Sequence, residues 1–127
     1  MNIPADLKYT TEHEWIRVQG KTGTVGITDY AQGELGDIVF VELPQVGAAV
    51  SKGQTFGTIE AVKAVSELYS PIDGTIVAVN TALDGDPMTI NRDPYGEGWM
   101  IKVEFSSAVQ LDKLLDAGGY KKLLAEK

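Results

Sequence analysis

The sequence predicts a mainly β fold with one short internal helix and helices at its C-terminal end, on three observations. Fourteen glycines and five prolines cut the chain into short segments, and all but Gly118 and Gly119 lie within the first hundred residues. The segments between them are rich in β-branched and aromatic residues, several with period-two alternation. After Phe105 the texture changes to leucines at helical spacing.

The elements follow in order. Glu14 to Gln19 and Thr22 to Ile27 flank Gly20-Lys21, a two-residue turn that predicts a β-hairpin. Thr28 is placed to cap a short helix through Tyr30, Ala31 and Glu34 that ends near Gly36. Asp37 to Leu43 reads as a strand that stops at Pro44. Gly74 to Val79 and Trp99 to Phe105 alternate as half-buried strands do. Beyond them, Ser106 or Ser107 is expected to cap a helix carrying Val109, Leu111, Leu114 and Leu115. Gly118-Gly119 would break it, and a last helix would hold Tyr120, Leu123 and Leu124. The chain therefore reads as a single unit over 1–127, a β core over 8–105 clasped by helices over 106–127. Val46 to Gln54 and Val79 to Asp86 echo each other weakly, which suggests two similar β layers about a pseudo-dyad. Trp15 and Trp99 are expected in the core.

Composition excludes more than it reveals. A chain of 127 residues, 43% hydrophobic and 23% charged, is that of an ordinary globular domain. Eighteen acids against eleven bases leave a net charge of −7, which disfavours nucleic acid and anionic membranes as partners. With no cysteine, any sulfur chemistry must arrive on a cofactor. No run approaches the roughly 18 apolar residues of a membrane span, and no leader pattern opens the chain. A cytoplasmic monomer is expected, or a mitochondrial matrix protein if the chain is a processed form.

No catalytic set is visible. His13 stands without a serine, cysteine or second histidine at nucleophile spacing and is expected at the surface or in a groove. Asp84-Gly85-Asp86 lacks the later ligands of a calcium loop, and Gly96-Glu97-Gly98 is too short for a phosphate cradle. The informative stretch is Thr58 to Pro71. Its Glu, Ala, Lys and Leu favour a helix, with Ile59, Val62, Val65 and Tyr69 near helical spacing and Lys63 paired to Glu67. The competing form is a hairpin with arms Gln54 to Ala61 and Ala64 to Ser70 and Val62-Lys63 at its tip. A type I turn accepts those residues and would display the lysine to a modifying enzyme.

The run Ile59-Glu60-Ala61-Val62-Lys63-Ala64-Val65-Ser66-Glu67-Leu68-Tyr69-Ser70-Pro71-Ile72-Asp73-Gly74 resembles the lipoyl-attachment motif of the glycine cleavage system H protein family. Three further blocks, Tyr9 to Trp15, Gly23 to Asp37 and Asn91 to Trp99, resemble that family in the same order. Ala61 stands where the family often has serine, and Asp73 where a small polar residue is common. The resemblance implies a barrel-sandwich hybrid, the hammerhead of lipoyl and biotinyl domains, with Lys63 on an exposed hairpin. That replaces the helical reading of 58–70. It further implies a non-catalytic carrier with lipoate in amide linkage to Lys63. In the family such an arm shuttles an aminomethyl group from a pyridoxal-phosphate glycine decarboxylase to a tetrahydrofolate-dependent aminomethyltransferase. A dihydrolipoamide dehydrogenase then reoxidises the dithiol, and a lipoate-attaching enzyme loads the arm. Glu14 and Glu67 are candidates, by resemblance and charge, for a groove that shields the loaded arm; the alternative is that both are solvated strand carboxylates. Other swinging-arm carriers fit less well. Biotin carriers flank the lysine with methionines, 2-oxoacid dehydrogenase lipoyl domains usually put Asp before it, and a lipoyl relay would share this sequence pattern.

Overall fold

The computed structural model describes residues 2–126; Met1 and Lys127, the outer ends of the expected 1–127 unit, lie outside the described residues. Strands form where the chain alternates: β1 (Lys8–Tyr9), β2 (Glu14–Gln19) and β3 (Thr22–Ile27) precede α1 (Asp29–Leu35), with β4 (Ile38–Glu42) after it. β5 (Ala49–Val50), β6 (Thr55–Ala61), β7 (Val65–Tyr69) and β8 (Gly74–Val79) follow, then α2 (Thr89–Arg92), β9 (Ile101–Glu104) and α3 (Ala117–Ala125). Two antiparallel sheets result, one ordered β1-β2-β3-β9-β8-β5 and the other β4-β6-β7.

The β2–β3 hairpin has the predicted limits, and Gly20 at its turn has φ 63°, where glycine carries no steric cost. Thr28 caps α1 as its sequence suggests, its hydroxyl accepting from Ala31 N at 3.2 Å. Gly36 stops the helix with φ 79°. The inner faces of the sheets share one core. Ile16, Val25, Ile27, Ile76 and Val103 from the larger sheet meet Ile38, Val41, Ile59 and Leu68 from the smaller, with Ile72 and Met100 in the same cluster. Burying each such side chain is worth about 1.5–3 kcal/mol, so this cluster sets the sandwich. A second cluster of Leu7, Tyr9, Trp15, Tyr95 and Tyr120 fastens α3 to the outer edge. There the Tyr9 and Tyr120 rings stack at 4.7 Å, and Tyr9 and Leu115 exchange backbone hydrogen bonds of 2.7 and 2.8 Å.

The propensity-based reading of 58–70 and four expectations need correction. The helical propensity of 58–70 loses to strand pairing, because Phe56, Ile59, Ala61 and Leu68 gain a core only as a hairpin. The segment after Phe105 forms a short 3-10 helix, Ala108–Lys113, without a serine side-chain cap, and Leu114-Leu115 run extended. Gly118-Gly119 do not break a helix but lie in the first turn of α3, where Asp116 caps Gly119 N at 2.7 Å. The echoing segments differ: 46–50 is a turn and a two-residue strand, whereas 79–84 ends a strand and enters a 3-10 helix. Trp15 is fully buried, but Trp99 is half-buried with the Lys102 ammonium 5.2 Å from its ring centroid.

Candidate functional site

The β6–β7 hairpin projects beyond the sandwich. Val65, Ser66 and Glu67 are all exposed although successive strand residues point to opposite faces, so neither face of this end is covered by the core. Ala61 N donates to Ala64 O at 2.8 Å and leaves Val62-Lys63 as a two-residue tip. Neither tip residue has positive φ, which excludes the I′, II′ and II turns and agrees with the type I expectation. Lys63 is exposed, and among the described residues its ammonium makes no ion pair; Arg92–Asp86 is the salt bridge found there. The hairpin and the strand beside it also expose apolar side chains, Val62 74%, Val65 66% and Phe40 52%. Register sets Phe40 beside Glu60 and Glu60 beside Val65 across the three strands.

The base of the hairpin borders a cleft of about 220 Å³. Its walls are Tyr9, Thr10, Thr11 and Glu12 on one side, Tyr69, Ser70 and Pro71 on another, and Lys113, Leu114 and Leu115 on the third. Lys52 and Gly53 close the rim, and Glu14 reaches it from inside. Glu14 is only 2% exposed. Two donors hold its carboxyl: the Thr10 hydroxyl at 2.6 Å and, more distantly, Tyr69 N at 3.4 Å. Thr10 in turn accepts from Glu14 N at 3.1 Å, closing a ring of bonds. The turn that aims this residue passes through His13, at φ 71° a non-glycine residue in the left-handed region. The His13 ring is half-buried, with Nδ1 2.8 Å from the Tyr120 hydroxyl and the ring tilted against Tyr30.

Burial pushes the Glu14 carboxyl up to about 7, against the pull of its two hydrogen bonds. A carboxyl in that state takes or gives a proton near neutrality, and it would ionise fully beside a cation. Neither sequence reading of the two acids together is what the structure shows. Glu14 is no solvated carboxylate. Glu67 is exposed and is not among the cleft's lining residues; it accepts from the Tyr69 hydroxyl at 3.0 Å, and Tyr69 forms the wall. The structure thus links the two acids through Tyr69, N–H to one and O–H to the other. Sequence reasoning missed Thr10, Tyr69 and the Leu114-Leu115 wall. Only Tyr69 left a signal, being two residues from Glu67 and so on the same strand face.

Residues 7–127 match the family model described as Glycine cleavage H-protein. The chain belongs to the glycine cleavage H-protein family. Among its relatives, the glycine cleavage system H protein of Symbiobacterium thermophilum is 58% identical over 94% of this chain and 93% of its own. That of Staphylococcus haemolyticus is 54% identical over 99% and 100%. A crystal structure of a glycine cleavage system H protein from Mycobacterium marinum superposes with a TM-score of 0.89 at 44% identity, covering 97% of this chain and 99% of that one. The mainly β class and the barrel-sandwich architecture expected of an H protein are therefore those of this chain. Among the described residues, no helix is long and apolar enough to cross a membrane.

Proposed function

We propose that this family member is the lipoyl carrier of the glycine cleavage system and that Lys63 Nζ is its attachment point. The observation that carries the assignment is an exposed amine, outside any ion pair among the described residues, at the tip of a projecting hairpin. Acylation by a lipoyl group activated with ATP would form the Nζ–C(=O) bond as the carbonyl–phosphate bond breaks and the nucleotide phosphate leaves; the nitrogen gives up two protons and the positive charge, taking the chain from −7 to −8. When bound, the lipoyl group supplies a disulfide that can accept and release an aminomethyl unit and be reduced and reoxidised.

The residues present fit such a group. The hairpin offers Lys63 clear of the core, where an attaching enzyme and later partners can reach it. The cleft combines apolar wall from Tyr9, Leu114 and Leu115 with one buried carboxyl, a lining suited to a flexible chain ending in an amine. Glu14 would hold that ammonium on an oxygen already oriented by Thr10 or Tyr69, and the walls would keep water from it. Glu67 would act at one remove, by fixing the Tyr69 hydroxyl. The relatives' names support the glycine cleavage system as the setting. Within it the partners are the pyridoxal-phosphate decarboxylase, the tetrahydrofolate-dependent aminomethyltransferase, dihydrolipoamide dehydrogenase and a lipoate-attaching enzyme. The chain's part is carriage, and the bacterial relatives favour a cytoplasmic setting.

Intact-mass measurement after incubation with lipoate ligase, lipoate and ATP tests the assignment. One lipoyl increment on the wild type and none on Lys63→Arg is the expected result. An increment that survives Lys63→Arg, or modification by biotin ligase alone, would overturn it. For the cleft, Glu14→Gln should speed loss of the aminomethyl unit from the loaded protein more than Glu67→Gln does. Equal, unchanged decay in both would remove the groove from the mechanism.

A further inference from the structure

With neither tip residue at positive φ, this hairpin lacks the primed-turn twist that suits a two-residue β-hairpin, so its geometry needs support from outside. That support comes from the corner between α1 and β4. Val62 N donates to Asp37 O at 3.1 Å. The Lys63 side chain lies over Gly36, since a methyl group placed there would sit 3.4 Å from Cε and 3.7 Å from Nζ. The corner is a two-residue connection, Gly36 at φ 79° and then Asp37, between α1 and β4. One side chain from α2, distant in sequence, ties it down. Asn91 Nδ2 donates to Gly36 O at 2.9 Å and to Gln32 Oε1 at 3.1 Å, while its Oδ1 accepts from Ile38 N at 3.0 Å. Three of the amide's four hydrogen-bonding capacities are spent on the residues immediately before and after Asp37 and on the helix that leads to it.

We infer that Asn91 is a positioning residue for Lys63: it fixes the Gly36–Asp37 corner, whose carbonyl and bare Cα back the hairpin tip and hold the lysine for acylation. The inference rests on the carrier assignment above for its chemistry, but not for its geometry. Asn91 touches neither the acyl donor nor the reacting nitrogen. It acts through Gly36 O and Ile38 N on Asp37 O, and through Asp37 O on Val62 N.

The decisive comparison uses a matched control. Asn80 is another well-bonded asparagine, its Nδ2 holding Glu97 O at 2.8 Å and Trp99 O at 2.7 Å, and these bonds lie away from the tip. Asn91→Ala and Asn80→Ala are compared for acylation by lipoate ligase under acceptor titration and for amide exchange at Val62 and Met100. Asn91→Ala should lower kcat/KM for acylation roughly tenfold or more, chiefly in kcat, because a displaced nucleophile costs rate more than encounter. Its Val62 amide should exchange faster while Met100 N–H, bonded to Val25 O in the core, stays protected. Asn80→Ala should leave acylation near the wild-type rate. Should Asn91→Ala fail to fold, Asn91→Asp keeps the acceptor for Ile38 N, loses the donor to Gly36 O, and should show the same loss. Wild-type acylation and a protected Val62 amide in the Asn91 variants, or an equal loss in Asn80→Ala, would overturn the inference. A wild type that no ligase acylates would instead defeat the carrier assignment, and amide exchange would still decide the role of Asn91.

Discussion

A single buried carboxyl makes the protein's stability depend on pH in the opposite sense to most acids. The Glu14 carboxyl lies at about 7 in the fold against 4.5 for the free group, so the native state binds its proton more tightly than the unfolded chain. Stability from this group is complete below about 4.5 and is lost as pH rises through about 7. The difference corresponds to about 3 kcal/mol, and with Glu14 almost fully buried solvent screening removes little of it. Glu14→Gln keeps an acceptor for Tyr69 N and has no charge to desolvate. It should exceed the wild type in stability at pH 8 by up to about 3 kcal/mol, with the gap closing toward pH 4.5. Urea melts across that range test it, and parallel pH profiles for the two proteins would show that Glu14 titrates normally. Removing the acid should therefore strengthen the fold while impairing its cleft, the trade expected of a residue kept for function.

At the scale of elements, legibility followed the range of the forces involved. The β2–β3 hairpin, α1 with its Thr28 cap and Gly36 stop, and β8 could be read in the sequence, because alternation, capping and turn chemistry act over a few residues. The Lys63 hairpin could not be read that way. Its local propensities are helical, and what makes it a strand pair is the core waiting for Ile59 and Leu68; only the likeness to a family supplied that. The glycine pair near the C-terminus misled in the other direction. Gly118 and Gly119 weaken a helix interior, yet the Asp116 cap satisfies Gly119 N and lets α3 begin there. This yields a test. Gly118 is exposed, has no positive φ, and a Cβ on it would meet Asp116 Oδ1 at an ordinary 3.6 Å. Gly118→Ala should stabilise the protein by about 0.4–1 kcal/mol through loss of unfolded-state freedom. That is a rise in Tm of about 2–5 °C by calorimetry. A lower Tm would mean that the first turn of α3 depends on glycine for more than its entropy.

For the whole molecule, the two halves of the site hang from different parts of the fold. The tip rests on α1, α2 and the start of β4, whereas the cleft is closed by the chain's far end, where Leu114 and Leu115 lie beside Tyr9. A C-terminal clasp was expected from the sequence, but not the cleft that it closes, because the burial of Glu14 requires segments more than a hundred residues apart to meet. Tyr120 secures it: fully buried, stacked on Tyr9, and with its hydroxyl 2.7 Å from Thr28 Oγ1 and 2.8 Å from His13 Nδ1. Burial pushes its phenol up to about 12, so those bonds are those of a neutral hydroxyl throughout the working range. Tyr120→Ala removes a large buried ring and should cost about 3–5 kcal/mol. At temperatures where the variant remains native, Lys63 should still be acylated at the wild-type rate, since Tyr120 meets α1 at its Thr28 cap, at the opposite end of that helix from Gly36, which backs the tip. The cleft should fail: with its third wall loosened, water reaches Glu14. Its carboxyl, followed by carbon-13 NMR titration, should then fall from about 7 toward 4.5. Slowed acylation with an unchanged Glu14 titration would reverse that division, making α3 a support of the tip and not of the cleft.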